Sequence, residues 1–441
     1  MRSSRPAGKA KFVVVAFAIW FASPASAQGV DIQSKIRAFG AGSEIRTHAD
    51  GVVITPGSSI PGPDLAHTNV RIFVPNGFDP QLDPLSSGLF FETPASLACV
   101  YQLVPRSGEC NPGIVAANAT GGSRAIAMVD AFDAPNAAAD LASYSQEFGL
   151  PAITSSNFQK VYACAWAGVG PAPPPTCSGG QPDYDSGWEA EESLDTQMAH
   201  AIAPSAKVFL VEAQSNSSGD LRAAELKAAY LVAQAGGGEV SNSWGSAEFP
   251  AETTHDVFFS TPGVVYFTST GDSPGTQYPS VSPNVVAVGG TSLSRNPLTG
   301  AFIGEATWSL AGGGPSAYEA RPSYQNSVGR IVGTQRGTPD LAAVANPVTG
   351  VWIYISAQGG WFIAGGTSVG SPLVAAIVNS EGRFSLSTAA ELSMIYNRPE
   401  RFNDIEDGTC GRHEGYWAGT GWDFCGGIGS PRVKEDFLAD R

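Results

Sequence analysis

RAIAMVDAFDAPNAAADLASYSQEFG, residues 124–149, is the stretch on which the fold turns. Its first seven residues are a near-continuous apolar run, as expected of a strand buried on both faces. The part from Pro135 reads as a helix, with proline near its start and glycine just past its end. A buried strand leading into a helix is the first unit of a longer alternation. EAEESLDTQMAHAIA (189–203) reads as helix, KVFLVEA (207–213) as strand, DLRAAELKAAYLVAQAG (220–236) as helix and EVSNSW (239–244) as strand. VVYFTST (264–270), NVVAVGG (284–290) and WIYISA (352–357) follow as strands, and a final helix is expected to begin near Ser371. This pattern predicts an α/β fold with a mainly parallel sheet flanked by helices. Groups that carry chemistry should then sit on loops at the carboxyl ends of the strands.

Composition narrows the function. The chain of 441 residues is 43% hydrophobic, enough for a large core, and its 40 acidic against 25 basic residues give a formal charge of −15. A chain so acidic repels phosphates, which excludes nucleic acid as a partner. MRSSRPAGKAK, then FVVVAFAIWFA, then Ala25-Ser26-Ala27 form a basic, apolar and small-residue series that reads as a secretory signal peptide over 1–27. The apolar run is short for a membrane anchor, so an extracellular or periplasmic protein is expected. Residues 28–91, rich in Gly, Pro and polar residues with short runs such as VRIFV, read as an N-terminal extension or short propeptide. Residues 92–441 form the main domain. Six cysteines in an exported chain favour disulfides. Cys99 with Cys110, Cys164 with Cys177 and Cys410 with Cys425 is the simplest of fifteen pairings.

GGTSVGSPLVAA (365–376) sets Ser368 in a glycine-rich turn before an apolar run. Serine there is a favoured helix cap. It could equally be a nucleophile, because small neighbours admit a substrate backbone and a helix N-terminus aims amide donors at developing negative charge. The second reading needs a base. The chain has five histidines, His48, His67, His200, His255 and His413, none in a motif typical of a serine nucleophile's partner. Carboxylates offer an alternative. Glu191 and Asp195 are four apart on one helix and share a face. Paired carboxylates share protons, which lifts one pKa and suits general-base work in weakly acidic water. With Glu189 and Glu192 beside them, they could also be an acidic surface. Asp272, in the glycine-flanked turn STGDSPG (269–275), could cap its own backbone, or, protonated, donate to an oxyanion.

EESLD, SNSWG, STGDS and GGTSVGSP, in that order, resemble the sedolisins (serine-carboxyl peptidases), secreted acid proteases with a subtilisin-like fold. The likeness runs from about residue 92 to 431. It implies Ser368 as nucleophile, Glu191 as its base, Asp195 as the second carboxylate and Asp272 as the oxyanion residue. SNSWG (241–245) is expected along the substrate cleft, pairing with peptide backbone. NDIEDG (403–408) and AGTGWD (418–423) place carboxylates among glycines, an all-oxygen donor set that suits calcium. The resemblance implies Asp404, Asp423 and the carbonyls of Ile405, Gly419 and Gly421 as its ligands. The expectation is a secreted, monomeric, calcium-stabilised peptidase acting on proteins or peptides. One rival is a non-catalytic pseudopeptidase or protein-binding module on the same fold. Another is a glycoside hydrolase with paired carboxylates, which leaves Ser368 and its turn unexplained.

Overall fold

The structure is a computed structural model that describes residues 38–163, 180–410 and 415–433. The signal-peptide reading, the Cys164–Cys177 couple and His413 lie outside these residues.

The strand that opened the sequence reading is central. Ala125–Ala131 is buried throughout and pairs in parallel with Lys207–Ala213 on one side and Gly238–Asn242 on the other. The sheet continues in parallel to Phe158–Tyr162 at one edge, and through Val264–Ser269 to Val286–Arg295 at the other. Leu341–Val344 pairs in parallel with Val286–Arg295, and Phe302–Thr307 adds an antiparallel edge. Alternation along the central strand divides the core in two. Ile126 and Met128 face a layer holding Leu194, Met198 and Val374, whereas Ala127 and Val129 face Leu221, Ala224 and Val232. Helices Ser186–Ile202 and Thr367–Glu381 therefore cover one face, and Ser218–Gln234 the other. The mainly parallel, helix-flanked sheet is the expected subtilisin-like architecture.

Two expectations need correction. WIYISA is a strand, but Val351–Ile355 lies outside the main parallel sheet; it forms an antiparallel hairpin with Gly360–Gly365. That hairpin belongs to a second sheet of five strands, whose other members, Glu44–His48, Gly51–Thr55 and Arg71–Pro75, come from the N-terminal extension. The helix expected to begin near Ser371 begins at Thr367, and a further helix, Thr388–Asn397, follows it. Proline usually marks the first helical position, and Pro372 taken that way puts the start too late. Here Pro372 lies inside the helix, where it cannot donate to the carbonyl four residues back. That carbonyl belongs to Ser368, and the Ser243 hydroxyl takes the missing amide's place at 3.4 Å.

Candidate active site

Gly366 answers whether Ser368 is a cap. Gly366 occupies the cap position with φ 95° and ψ 162°, a region closed to other residues. Ser368 lies in the first turn and makes no cap bond; its hydroxyl donates to the Ser243 carbonyl at 3.2 Å. The glycine also allows close approach. A Cβ there would meet the Asn69 carbonyl oxygen at 2.0 Å and Asp272 Oδ2 at 2.6 Å.

The carboxylate helix starts at Asp185, whose side chain accepts from the amides of Gly187 and Trp188. It is buried on every side, so the acidic-surface alternative fails: Glu189, Glu191, Glu192 and Asp195 are all covered. The nucleophile helix packs against it, and Ala137–Glu147, the central strand and Val351–Ile355 cover it as well. Local sequence could not show this, because an acidic run looks the same whether water or another helix faces it.

Glu191 lies beside Ser368. Burial pushes its pKa well above the usual carboxylate range, the charge of Asp130 adds to this, and the neighbouring Ser368 hydroxyl pulls it partly back. Neither Glu191 oxygen has a hydrogen bond of good geometry, since the Ser368 hydroxyl is turned toward Ser243. Asp195 is likewise raised well above its ordinary value, by burial first and then by Asp130 and Glu191. Its Oδ1 lies 2.7 Å from the Ser243 hydroxyl. One hydroxyl proton cannot serve both Asp195 and the Ser368 carbonyl. A protonated Asp195 donating to Ser243 satisfies both.

Asp130 is the group that sequence reasoning missed. It is the last residue but one of the central strand, is fully buried with no partner for either oxygen, and burial raises its pKa to about 8. Three buried, mutually coupled carboxylates cannot all be charged. Its signal in the sequence was an acid closing an apolar run at the carboxyl end of a strand, where α/β folds keep their sites.

Asp272 sits at the entry turn of the nucleophile helix. Its Oδ1 accepts from the Thr367 amide at 2.7 Å and from the Thr367 hydroxyl at 3.0 Å, and Arg71 Nε reaches Oδ2 at 3.1 Å. Burial raises its pKa, and Arg71 and the Thr367 donors oppose that without cancelling it. The four sequence-derived residues thus converge around one helix N-terminus. Among the described residues, no histidine hydrogen-bonds to any of the four. His200 is buried with Nε2 2.9 Å from the Pro151 carbonyl oxygen, and burial lowers its pKa.

The cleft holds a segment of the chain itself. His67–Thr68 pairs antiparallel with Trp244–Gly245, the edge expected to bind peptide backbone. Asn69 continues inward, its amide donating to the Ser243 carbonyl at 3.1 Å and its carbonyl accepting from the Ser368 amide at 3.2 Å.

The second candidate site lies in the C-terminal loops, where the Cys410–Cys425 disulfide forms; Cys99–Cys110 forms as well. Asp404 accepts from the Gly421 amide at 2.7 Å and Asp423 from the Gly419 amide at 2.9 Å. A Cβ on Gly426 would contact both Ile405 and Asp423. All five proposed ligand residues therefore lie together. Burial raises the pKa of Asp423, and the charge of Asp404 adds to it, a repulsion that a cation between them would relieve. No group of three or more His, Cys, Asp or Glu able to hold a metal occurs among the described residues. A cation here would depend on two carboxylates and backbone carbonyls.

No family model matches the chain. It is 32% identical to kumamolisin of Bacillus sp. (strain MN-32) over 286 residues, 57% of this chain and 51% of that protein. It is 36% identical to sedolisin of Pseudomonas sp. (strain 101) over 176 residues, 36% of this chain and 29% of that protein. The chain thus spans about half, or less, of the curated relatives it matches. Among solved structures, Pseudomonas sedolisin, a serine-carboxyl proteinase complexed with two molecules of pseudo-iodotyrostatin, superposes with a TM-score of 0.63 at 24% identity, covering 80% of this chain and 98% of that one. Sequence relatives and fold agree: the chain is similar to sedolisins over part of their length and shares their subtilisin-like fold.

Proposed function

We propose that the chain is a secreted, acid-acting serine-carboxyl peptidase that cuts peptide bonds through an acyl-enzyme. The observation that carries this reading is the convergence of Ser368, Glu191, Asp195 and Asp272 at one buried helix N-terminus. Ser368 Oγ attacks the scissile carbonyl and passes its proton to Glu191. Asp195 and Asp130 keep shared protons nearby, so Glu191 can ionise alone in weak acid and regain a proton for the leaving amine. The Ser368 amide and a protonated Asp272 donate to the tetrahedral oxyanion. Water then hydrolyses the ester, with Glu191 as base.

Calcium fits the C-terminal loops. Asp404, Asp423 and the carbonyls of Ile405, Gly419 and Gly421 would hold it, and it would stabilise the fold without entering the chemistry. The donor set is hard oxygen throughout, as calcium prefers.

One observation favours a second reading, a non-catalytic binding module. Ser368 is fully buried, and the chain's own residues cover it. Digestion of casein in weak acid, wild type beside Ser368→Ala, decides. Cleavage by wild type alone supports the peptidase; cleavage by both, or by neither, overturns it.

A further inference from the structure

Gly245 lies on the strand edge expected to bind peptide backbone, yet its own backbone makes no use of glycine's freedom. It sits in the short strand Trp244–Gly245, outside the positive-φ region. A neighbour requires glycine there instead. A Cβ on Gly245 would lie 2.2 Å from Gln277 Cδ, and one on Gly271, beside Asp272, would lie 2.8 Å from Gln277 Oε1. The Gln277 side chain therefore fills the space between the peptide-binding edge and the turn that carries Asp272.

Gln277 is held in that space. It is buried, and its Nε2 donates to the Ser269 carbonyl at 3.1 Å. Its own carbonyl accepts from the Ser280 hydroxyl at 2.7 Å. The next residue, Tyr278, exchanges both backbone hydrogen bonds with Ser246, at 2.9 and 2.8 Å, which fixes this stretch beside Gly245. The side chain next to the reacting carbonyl comes to the same place. Thr68 pairs with Trp244, and the Asn69 carbonyl accepts from the Ser368 amide. Asn69 Nδ2 then donates to Ser269 Oγ at 2.8 Å. Asn69 and Gln277 thus meet at one residue, Ser269.

We propose that Gln277 closes the pocket for the substrate side chain on the acyl side of the cut bond, and so confines cleavage to bonds that follow short side chains, asparagine or smaller. The proposal rests on the peptidase reading. A peptide that takes the place of residues 67–69 presents its acyl-side residue in the register of Asn69. A side chain of that length stops at Ser269. Leucine or phenylalanine needs the volume that Gln277 occupies, and displacing Gln277 breaks its bond to Ser269 and leaves a buried carbonyl unpaired. The site selects by rejecting the larger group.

The test is digestion in weak acid of casein and of a peptide series that differs only in the acyl-side residue, Ala, Asn, Leu or Phe. Wild type, Gln277→Ala and Gln277→Met are compared. Wild-type kcat/KM should be higher after Ala and Asn than after Leu and Phe by about tenfold or more. Gln277→Ala should raise kcat/KM after Leu and Phe to the level of Ala or above, a gain that damaged folding cannot produce. Gln277→Met, equal in length but without the amide, should keep the wild-type order, because bulk sets it. Casein cleavage by a wild type that cuts after Leu or Phe as fast as after Ala overturns the proposal and spares the peptidase reading. So does a Gln277→Ala variant with the wild-type order, or a Gln277→Met variant that loses it. Cleavage of neither casein nor any peptide by wild type overturns both readings.

Discussion

Glu191 is surrounded by groups that resist its ionisation, and that is what makes it useful as a base. A carboxylate of ordinary pKa would hold a serine proton too weakly to help, whereas burial and the neighbouring Asp130 lift Glu191 well above that range. Glu191→Gln preserves shape and hydrogen-bonding capacity but cannot take the proton. Its kcat on a peptide should fall by about 10²–10⁴-fold with little change in KM. Asp195→Asn should lower kcat less, and the double variant should scarcely exceed Glu191→Gln alone, since members of one catalytic unit are not additive. Additive losses would separate the two residues. Glu192 gives a contrast. Burial raises it well above its ordinary pKa, as for Glu191, with Glu212 and Asp130 adding to the shift, but Ser368 is not among the groups that act on it. Glu192→Gln leaves the proton acceptor of Ser368 in place, and kcat in weak acid should remain near that of wild type.

The nucleophile helix depends on its entry turn. Gly366 combines a backbone region that costs other residues about 1–3 kcal/mol with contacts that leave no room for a Cβ. Gly366→Ala should therefore lower the thermal transition and push the 65–71 segment out of the cleft. Amide hydrogen exchange across that segment would show faster exchange; unchanged protection would mean that the contact at Gly366 is not limiting. At this scale much was legible in the sequence. The strand–helix alternation is written in local apolar runs, and the approximate bounds of the central strand and the carboxylate helix follow from it. Pairing between distant segments is not written locally. VRIFV reads as a short apolar run, but its partner strand Gly360–Gly365 lies far along the chain. The four catalytic candidates were found because each sits in a short motif. Asp130 was passed over because its role depends on two side chains from another layer.

The whole molecule buries many carboxyl groups that prefer to be protonated. Burial raises Asp130, Glu212 and Glu252 to about 8, and Glu391 to about 7. The unfolded chain releases these protons near ordinary carboxylate values, so between there and about pH 8 the folded state holds more protons. Stability falls with rising pH wherever the folded state binds more protons than the unfolded. Tm should be highest in weak acid and drop steadily toward about pH 8; a Tm that rises over that span would show that these groups are ionised in the fold. Calcium acts on the same scale. A cation bound only by the folded state adds about 2.7 kcal/mol at a hundredfold excess over Kd. Wild type should melt higher with added calcium, and Asp423→Ala should lose that response. A retained response would move the site away from Asp404 and Asp423.

The account's central claim is that a carboxylate, not a histidine, takes the proton of Ser368. The pH profile of kcat/KM on a neutral peptide tests it most directly, measured from about pH 3 to about pH 8 for wild type and Glu191→Gln. The claim requires a wild-type optimum in acid that fades toward neutrality, as Asp272 loses the proton it donates, and a profile for Glu191→Gln depressed throughout. A wild-type rate that climbs steadily to neutral pH, or a Glu191→Gln variant that retains the wild-type profile, would contradict it.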